Sequence, residues 1–384
     1  MSHTSKLTRF LSAIIFLMIL IGCNKQKAKE EIEIKPEQKV ENIEWNSFQG
    51  KDVDAPNIVL ISGDEEYRSE EGLTQLGKIL AERHGFNCTV HYSQNPENIG
   101  VINANFQDNI PGLEQLKNAD LMIILTRFRA LSDEQMTYIN DYLMAGKPVI
   151  GLRTSTHAFQ FNTKDSIPSK WMHYSNSFKD ENSEWNGGFG RLVLGEKWIS
   201  HHGHHKHQST LGIIDSNAEN HPITNGIANG DIWGPTDVYG VRLPLPGNSQ
   251  PIILGQVTNR KGDYDENDPF YGMRPTDDEI AITNPGQKDI ANINDPMIPI
   301  AWTKSYHLPG GESGKSFTST IGSSTDLMSE GVRRLIVNAS YWTMGLEVPE
   351  KADVTLVGDY QPTAYGFKKN EYWVKRDLKV VDLK

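Results

Sequence analysis

Five of the chain's twelve histidines fall within Ser200–Gln208, the run SHHGHHKHQ. Neutral imidazole is a common ligand of divalent metals, and it also moves protons near neutral pH. Histidines three or four positions apart can meet one ion, and His201/His204, His201/His205 and His204/His207 have that spacing. His201, His204 and His205 are therefore the candidate ligands of a divalent metal, and His204 and His205 are candidate proton-transfer groups as well. Gly203 lets the backbone turn tightly inside the run. The alternative is a solvated polar loop without chemistry.

Three further segments place charged or hydroxylated groups where an apolar run gives way to a turn. In Ser62–Arg68 (SGDEEYR), Asp64 or Glu65 could act as a general base or metal ligand, and Arg68 could grip an anionic or hydroxylated group. The plainer role for acids here is to complement a helix dipole, which accounts for Glu70 and Glu71 better than for Asp64. Arg127 follows the third apolar run in the same way, as a candidate substrate contact. After Pro148–Leu152 comes Arg153-Thr154-Ser155-Thr156-His157, with Arg153 and His157 as catalytic candidates and Thr154 and Ser155 as substrate contacts. A serine nucleophile at Ser155 needs an adjacent base and an oriented third group, and the G-x-S-x-G pattern is absent. His307, after a late strand, is a further candidate contact, and isolated histidines such as His307 and His221 are more often structural.

These residues need a scaffold that brings strand ends together. Ile58–Ile61, Asn87–Tyr92, Leu121–Leu125 and Val149–Leu152 read as short buried strands. Ser69–His84 has helical spacing at Leu73, Leu76 and Leu80. Ser132 and Gln135 resemble a capping box before a helix with Met136, Ile139 and Leu143 on one face. This alternation predicts an α/β fold: a three-layer sandwich around a mostly parallel sheet, with ligands at the strand carboxyl ends. Beyond Phe159 the pattern loosens. Strand candidates are Gly190–Trp198, Thr210–Ile214, Val238–Leu243, Ile252–Val257, Ile298–Thr303 and Ser316–Ile321, with a long polar loop over Arg260–Pro296 and a final helix over Ser329–Gly345.

The chain has 384 residues and a formal net charge of -11, which argues against nucleic acid as a partner. Lys6 and Arg9 precede an apolar run, Phe10–Ile21, of signal-peptide length, and Gly22-Cys23 follows it. This order resembles a bacterial lipobox. It implies a signal peptide over residues 1–22, lipid on Cys23, and a solvated tether over 23–46 between membrane and domain. A plain secretory signal is the alternative. With Cys23 lipidated, Cys88 has no disulfide partner. The main domain is expected over 47–349, with 350–384 as a basic, aromatic tail packed back on it.

The ordered set of segments resembles a known family. After the acidic first loop come DLMIILTR (Asp120–Arg127), DEQM (Asp133–Met136) and GKPVIGLRTSTHAF (Gly146–Phe159). HPITNGI (His221–Ile227), PIAWTKSY (Pro299–Tyr306), KSFTSTIGSSTDL (Lys315–Leu327) and RRLIVNASYWTMG (Arg333–Gly345) follow. Together, over Asn57–Pro349, they resemble the ThuA-like family, named for a trehalose-utilisation protein, within the class I glutamine amidotransferase-like superfamily. The resemblance implies a flavodoxin-like sandwich and a role in carbohydrate metabolism. The amidotransferases of that superfamily carry a nucleophilic Cys at the elbow that reads Gly151–His157 here, without a Cys, so thiolate glutamine hydrolysis is excluded. The expected function is acid–base chemistry on a glycoside or keto-sugar by an exported, lipid-anchored protein of the bacterial envelope. The alternative is a surface lipoprotein that binds carbohydrate without turning it over.

Overall fold

The structure, a computed structural model, describes residues 43–161, 169–287 and 290–384. The expected signal peptide, Cys23 and nearly all of the expected tether lie outside them. The first described strand, β1 (Trp45–Phe48), pairs antiparallel with Cys88–His91, so the folded part takes in the last two residues assigned to the tether.

The first half is β2 (Asn57–Gly63), α1 (Ser69–Glu82), β3 (Asn87–Tyr92), β4 (Leu121–Thr126), α2 (Asp133–Met144) and β5 (Val149–Leu152). In β2, Ile58 and Leu60 enter one core with Leu73, Leu76 and Leu80 of α1, while Val59 and Ile61 enter another with Met136, Ile139 and Leu143 of α2. β4 alternates in the same way. A strand covered on both faces reads as a continuous apolar run because successive side chains point to opposite sides. Ser132 caps α2 by accepting from the Gln135 amide at 3.3 Å, but the Gln135 side chain turns to Asn109 and Ile110 instead of closing the box.

The second half adds a short α3 (Gly188–Leu192), β6 (Ser200–His201), β7 (Gln208–Ile214), β8 (Trp233–Gly234), β9 (Tyr239–Gly240), β10 (Gln250–Asn259), β11 (Glu279–Ile280), β12 (Ile298–His307), β13 (Ser313–Ser319), α4 (Glu330–Thr343) and α5 (Asn370–Arg376). Gly190–Trp198 is therefore not a strand; it joins the end of α3 to a loop. The Val238–Leu243 strand shrinks to two residues, and among the described residues the Arg260–Pro296 loop carries only β11.

The main sheet runs β1-β3-β2-β4-β5-β13-β12-β10-β7-β8, with β11 beside β10. Strands β3, β2, β4, β5 and β13 are parallel and follow the 2-1-3-4-5 order of one class of doubly wound sheets. The remaining pairings are antiparallel, so the sheet is mixed and not mostly parallel as expected. The reason lies in the connections. Parallel neighbours need a crossover, whereas antiparallel neighbours close through short turns. Between α2 and α4 no long helix intervenes among the described residues, and β12 reaches β13 through a tight turn at Gly310, which has φ 80°.

The C-terminal segment lies along the domain. Arg376 pairs with Glu70 at 3.0 Å and Glu71 at 2.6 Å, and Thr363 donates to Glu71. Glu70 and Glu71 thus serve chiefly to dock the tail, beyond any interaction with the helix dipole. Among the described residues no helix is long and apolar enough to cross a membrane.

Candidate functional site

The carboxyl ends of β2, β4 and β5 open onto a cleft of about 370 Å³. Glu66, Arg127, Phe128 and His157 line it from these strand ends. Trp198, His201, His205, Lys206 and Tyr239 line it from the second half, and Phe367 from the tail. Larger recesses of about 440 and 490 Å³ lie at Asn57–Val59 and beside Arg333, but they lack a comparable set of histidines and carboxylates.

The centre of the site is Asp237, which follows β8 and is buried. One carboxylate oxygen lies 2.7 Å from His201 Nδ1, and the other 3.0 Å from His205 Nδ1. The Arg153 guanidinium donates to the latter oxygen at 2.9 Å and to the Asp237 carbonyl at 2.7 Å. Burial alone would raise the Asp237 carboxyl, but the Arg153 charge and the two histidine hydrogen bonds outweigh it and hold the group well below the usual carboxylate range. A carboxylate on Nδ1 fixes an imidazole's tautomer and leaves Nε2 for chemistry.

Arg153 is the residue at the strand-to-helix elbow and has φ 41°. Hydrolases expose a nucleophile at such a strained turn. Here the side chain turns inward, stacked 3.7 Å from the Tyr239 ring centroid and 4.5 Å from that of Tyr67. It is fully buried, so its part is to position Asp237 rather than to touch a ligand.

Glu66 faces this assembly. Its carboxylate lies 3.4 Å from His205 Nε2 and 4.0 Å from Arg127 Nε. Burial, reinforced by the charge of Asp64, pushes the Glu66 carboxyl up to about 7. Burial also lowers His205, with Asp237 opposing and His201 and Arg153 adding to the effect. His157 is lowered well below its ordinary value by burial, then by Arg127 and Arg153. It is a neutral ring packed among Phe128, Trp198 and Tyr239. A carboxyl poised near neutrality against an oriented neutral imidazole can pass a proton in either direction.

The other expected residues are placed apart from this centre. Asp64 is buried: one oxygen accepts the Glu66 and Tyr67 amides at 2.6 Å, the other the Thr154 hydroxyl. It shapes the loop that projects Glu66. Glu65 is occupied by Arg127 and Arg129. Arg68 is buried in a left-handed conformation, φ 53°, donating to the Gly366 carbonyl and stacked 5.0 Å from Trp373. Ser155 donates to the Ile124 carbonyl at 2.6 Å and is buried, so its hydroxyl braces β4 and β5. His307 ends β12, opposite Ser313, while the elbow lies beyond the other end of the β13–β5 pairing. It therefore sits at the far edge of the sheet from the cleft.

The histidine run divides. His201 and His205 converge on Asp237, and one donor atom from each of the three lies within 4.8 Å of the others. His204 does not join them. It stacks on His207 with ring centroids 4.3 Å apart, and His207 stacks on Tyr264. A metal set of His201, His205 and Asp237 thus takes the place of one containing His204. Asp237, Glu66, Trp198, Tyr239 and Phe367 carry no local signal that singles them out in the sequence. Glu66 stands beside two candidate acids, but the 2.0-residue and 3.6-residue periods do not say which acid of a turn points outward.

No protein-family model matches the chain, and no curated protein matches it. Among solved structures, it is similar to a chain described as a ThuA-like protein from Parabacteroides merdae, at 13% identity and TM-score 0.41, over 82% of this chain and 98% of that one. A chain described in the same way from Bacteroides uniformis has 13% identity and TM-score 0.38, over 77% and 94%. A cytoplasmic protein from Salmonella typhimurium has 13% identity and TM-score 0.33, over 74% and 98%.

Proposed function

We propose that the chain is an enzyme of general acid–base chemistry on a sugar or sugar derivative, a glycoside or keto-sugar. The observation that carries this reading is Glu66, its carboxyl near neutrality, facing the Nε2 of a His205 whose other nitrogen is held by Asp237. In this reading His205 Nε2 takes a proton from the substrate, Glu66 supplies one to a developing oxyanion or leaving oxygen, and Arg153 keeps Asp237 ionised beneath them. Phe128, Trp198 and Tyr239 offer flat apolar faces of the kind that pack against sugar rings. The ordered motifs that resemble the ThuA-like family support the same substrate class.

A second reading adds a divalent metal on His201, His205 and Asp237, favoured by the approach of their donor atoms. The donor set of two imidazoles and one carboxylate suits zinc and similar ions. Both Nδ1 atoms already meet Asp237 at hydrogen-bond distance, so ligation through them would require the rings to move apart. We further propose, from Gly22-Cys23 after the apolar run, that the protein is exported and lipid-anchored. Incorporation of labelled palmitate on expression in a bacterium, lost in Cys23→Ala, is expected; unlabelled wild-type protein would sink that part.

The functional test is a turnover screen on glycosides and keto-sugars, with His205→Ala beside wild type. Loss of about 10²–10⁴-fold in kcat is expected for removal of a proton-transfer group. Sugar binding without turnover under any metal condition would select the non-catalytic alternative. Elemental analysis of wild type and His201→Ala decides the metal reading: one bound ion, lost in the variant, is its expected result.

A further inference from the structure

Lys206 sits between the two histidine pairs, at φ 64°. The turn it belongs to is closed by the His207 and Gln208 amides on the His204 carbonyl, both at 2.9 Å. Gly or Asn would satisfy such a position with less strain. Strained backbone of this kind collects at ligand sites. Here the strain aims a long cationic side chain into the cleft that holds Glu66 and His205.

The ammonium lies over two tyrosine rings, 5.0 Å from the centroid of Tyr271 and 6.0 Å from that of Tyr365. That platform is fixed: the Tyr271 hydroxyl donates to the Tyr365 carbonyl, and the Tyr365 hydroxyl donates to the Pro235 carbonyl at 3.0 Å. Lys206 Nζ has no ion-pair partner among the described residues. Glu66 attracts it without forming a salt bridge, and Lys368 repels it. Arg127 lies in the same lining, between the rings of Phe128 and Phe367 at 4.6 and 4.7 Å, but its charge is already paired with Glu65. In a chain of net charge -11, Lys206 is therefore the cation of this lining that no carboxylate of the described residues pairs.

We propose that Lys206 binds a carboxylate on the substrate, so that the enzyme takes a sugar acid such as a uronate rather than a neutral sugar. This rests on the acid–base reading of the same cleft. A neutral ring needs only hydroxyl donors and acceptors, whereas an ammonium without a carboxylate partner gains most from a charged ligand in a partly dry site.

The test is titration of the purified full chain with glucuronate and with glucose by calorimetry. Glucuronate is expected to bind at least about tenfold more tightly, and Lys206→Met to remove about tenfold of that affinity while leaving glucose unchanged. Lys206→Arg should keep the preference. Met and Arg meet the same left-handed backbone as Lys, so the two variants differ in charge and not in strain, and matching melting temperatures check this. Equal affinities in wild type, or a preference that survives Lys206→Met, overturns the proposal. Glucose turnover without a glucuronate preference overturns it while leaving the acid–base reading intact. A charge-dependent glucuronate preference with no turnover supports it and counts against catalysis.

Discussion

The seven residues His201–His207 present two pairs of histidines with opposite fates. His201 and His205 meet a buried carboxylate in the cleft, whereas His204 and His207 stack on one another and on Tyr264. Residue type is the same in both pairs, and their spacings, four positions and three, are both ones that can join a single ion. The difference is Asp237, delivered from a separate connection after β8 and locked by the Arg153 clamp. A histidine acquires a defined tautomer and a chemical role from the partner on its other nitrogen, and among the described residues only His201 and His205 of this loop have a carboxylate there.

The comparison breaks most sharply at that partner. Asp237→Asn leaves the buried Arg153 charge without its carboxylate and, with only one amide oxygen left to accept, at least one of the two imidazoles without its orienting acceptor. It is expected to cost about 3–5 kcal/mol of stability, as loss of one member of a buried pair does. Chemical denaturation reads the stability, and turnover should be lost with it. A variant as stable as wild type would mean that Asp237 does not organise the loop.

A smaller effect tests the acid that faces the cleft pair. The folded-state carboxyl of Glu66 is raised to about 7 against an ordinary value near 4.5. The folded protein therefore binds more protons than the unfolded chain between those two values, and stability falls as pH rises through that window. The span corresponds to about 3 kcal/mol, with full stability below about pH 4.5 and the loss complete above about pH 7. Glu66→Gln should remove this slope, so that the variant is the more stable protein at pH 8 and the less active one. Parallel stability curves for the two proteins from pH 5 to 8 would refute the assignment.

The smallest effect belongs to the other face. His204→Ala combined with His207→Ala should change stability by no more than about 0.5 kcal/mol per site, as surface substitutions do, and turnover by less than about twofold. A loss as large as that of His205→Ala would erase the distinction between the two pairs.

Part of this arrangement is legible in the amino-acid order alone. The parallel strands β2, β3, β4 and β5 and the helices α1 and α2 follow from continuous apolar runs alternating with helical spacing, because burial on both faces of a strand imposes that pattern locally. The same pattern puts Glu66, Arg127 and His157 at strand carboxyl ends. It fails where pairing depends on distant segments. The mixed character of the sheet comes from β7, β10 and β12, whose partners are chosen by turns and by β13 rather than by their own periodicity.

What the sequence by itself determined is the doubly wound half of the sheet, the absence of a thiol at the elbow Gly151–His157, and the concentration of imidazole in one loop. Only the tertiary structure decided what those groups became. It turned Arg153 inward, gave the Ser155 hydroxyl to the Ile124 carbonyl, and set Asp64 to holding a loop. It also brought Asp237 beneath His201 and His205 and laid Phe367 of the tail against Arg127. The physical reason is that a side chain's chemistry depends on burial and on the charge across from it. Both are set by segments as much as 306 positions away in the chain, as Arg376 is from Glu70, and no local period records them.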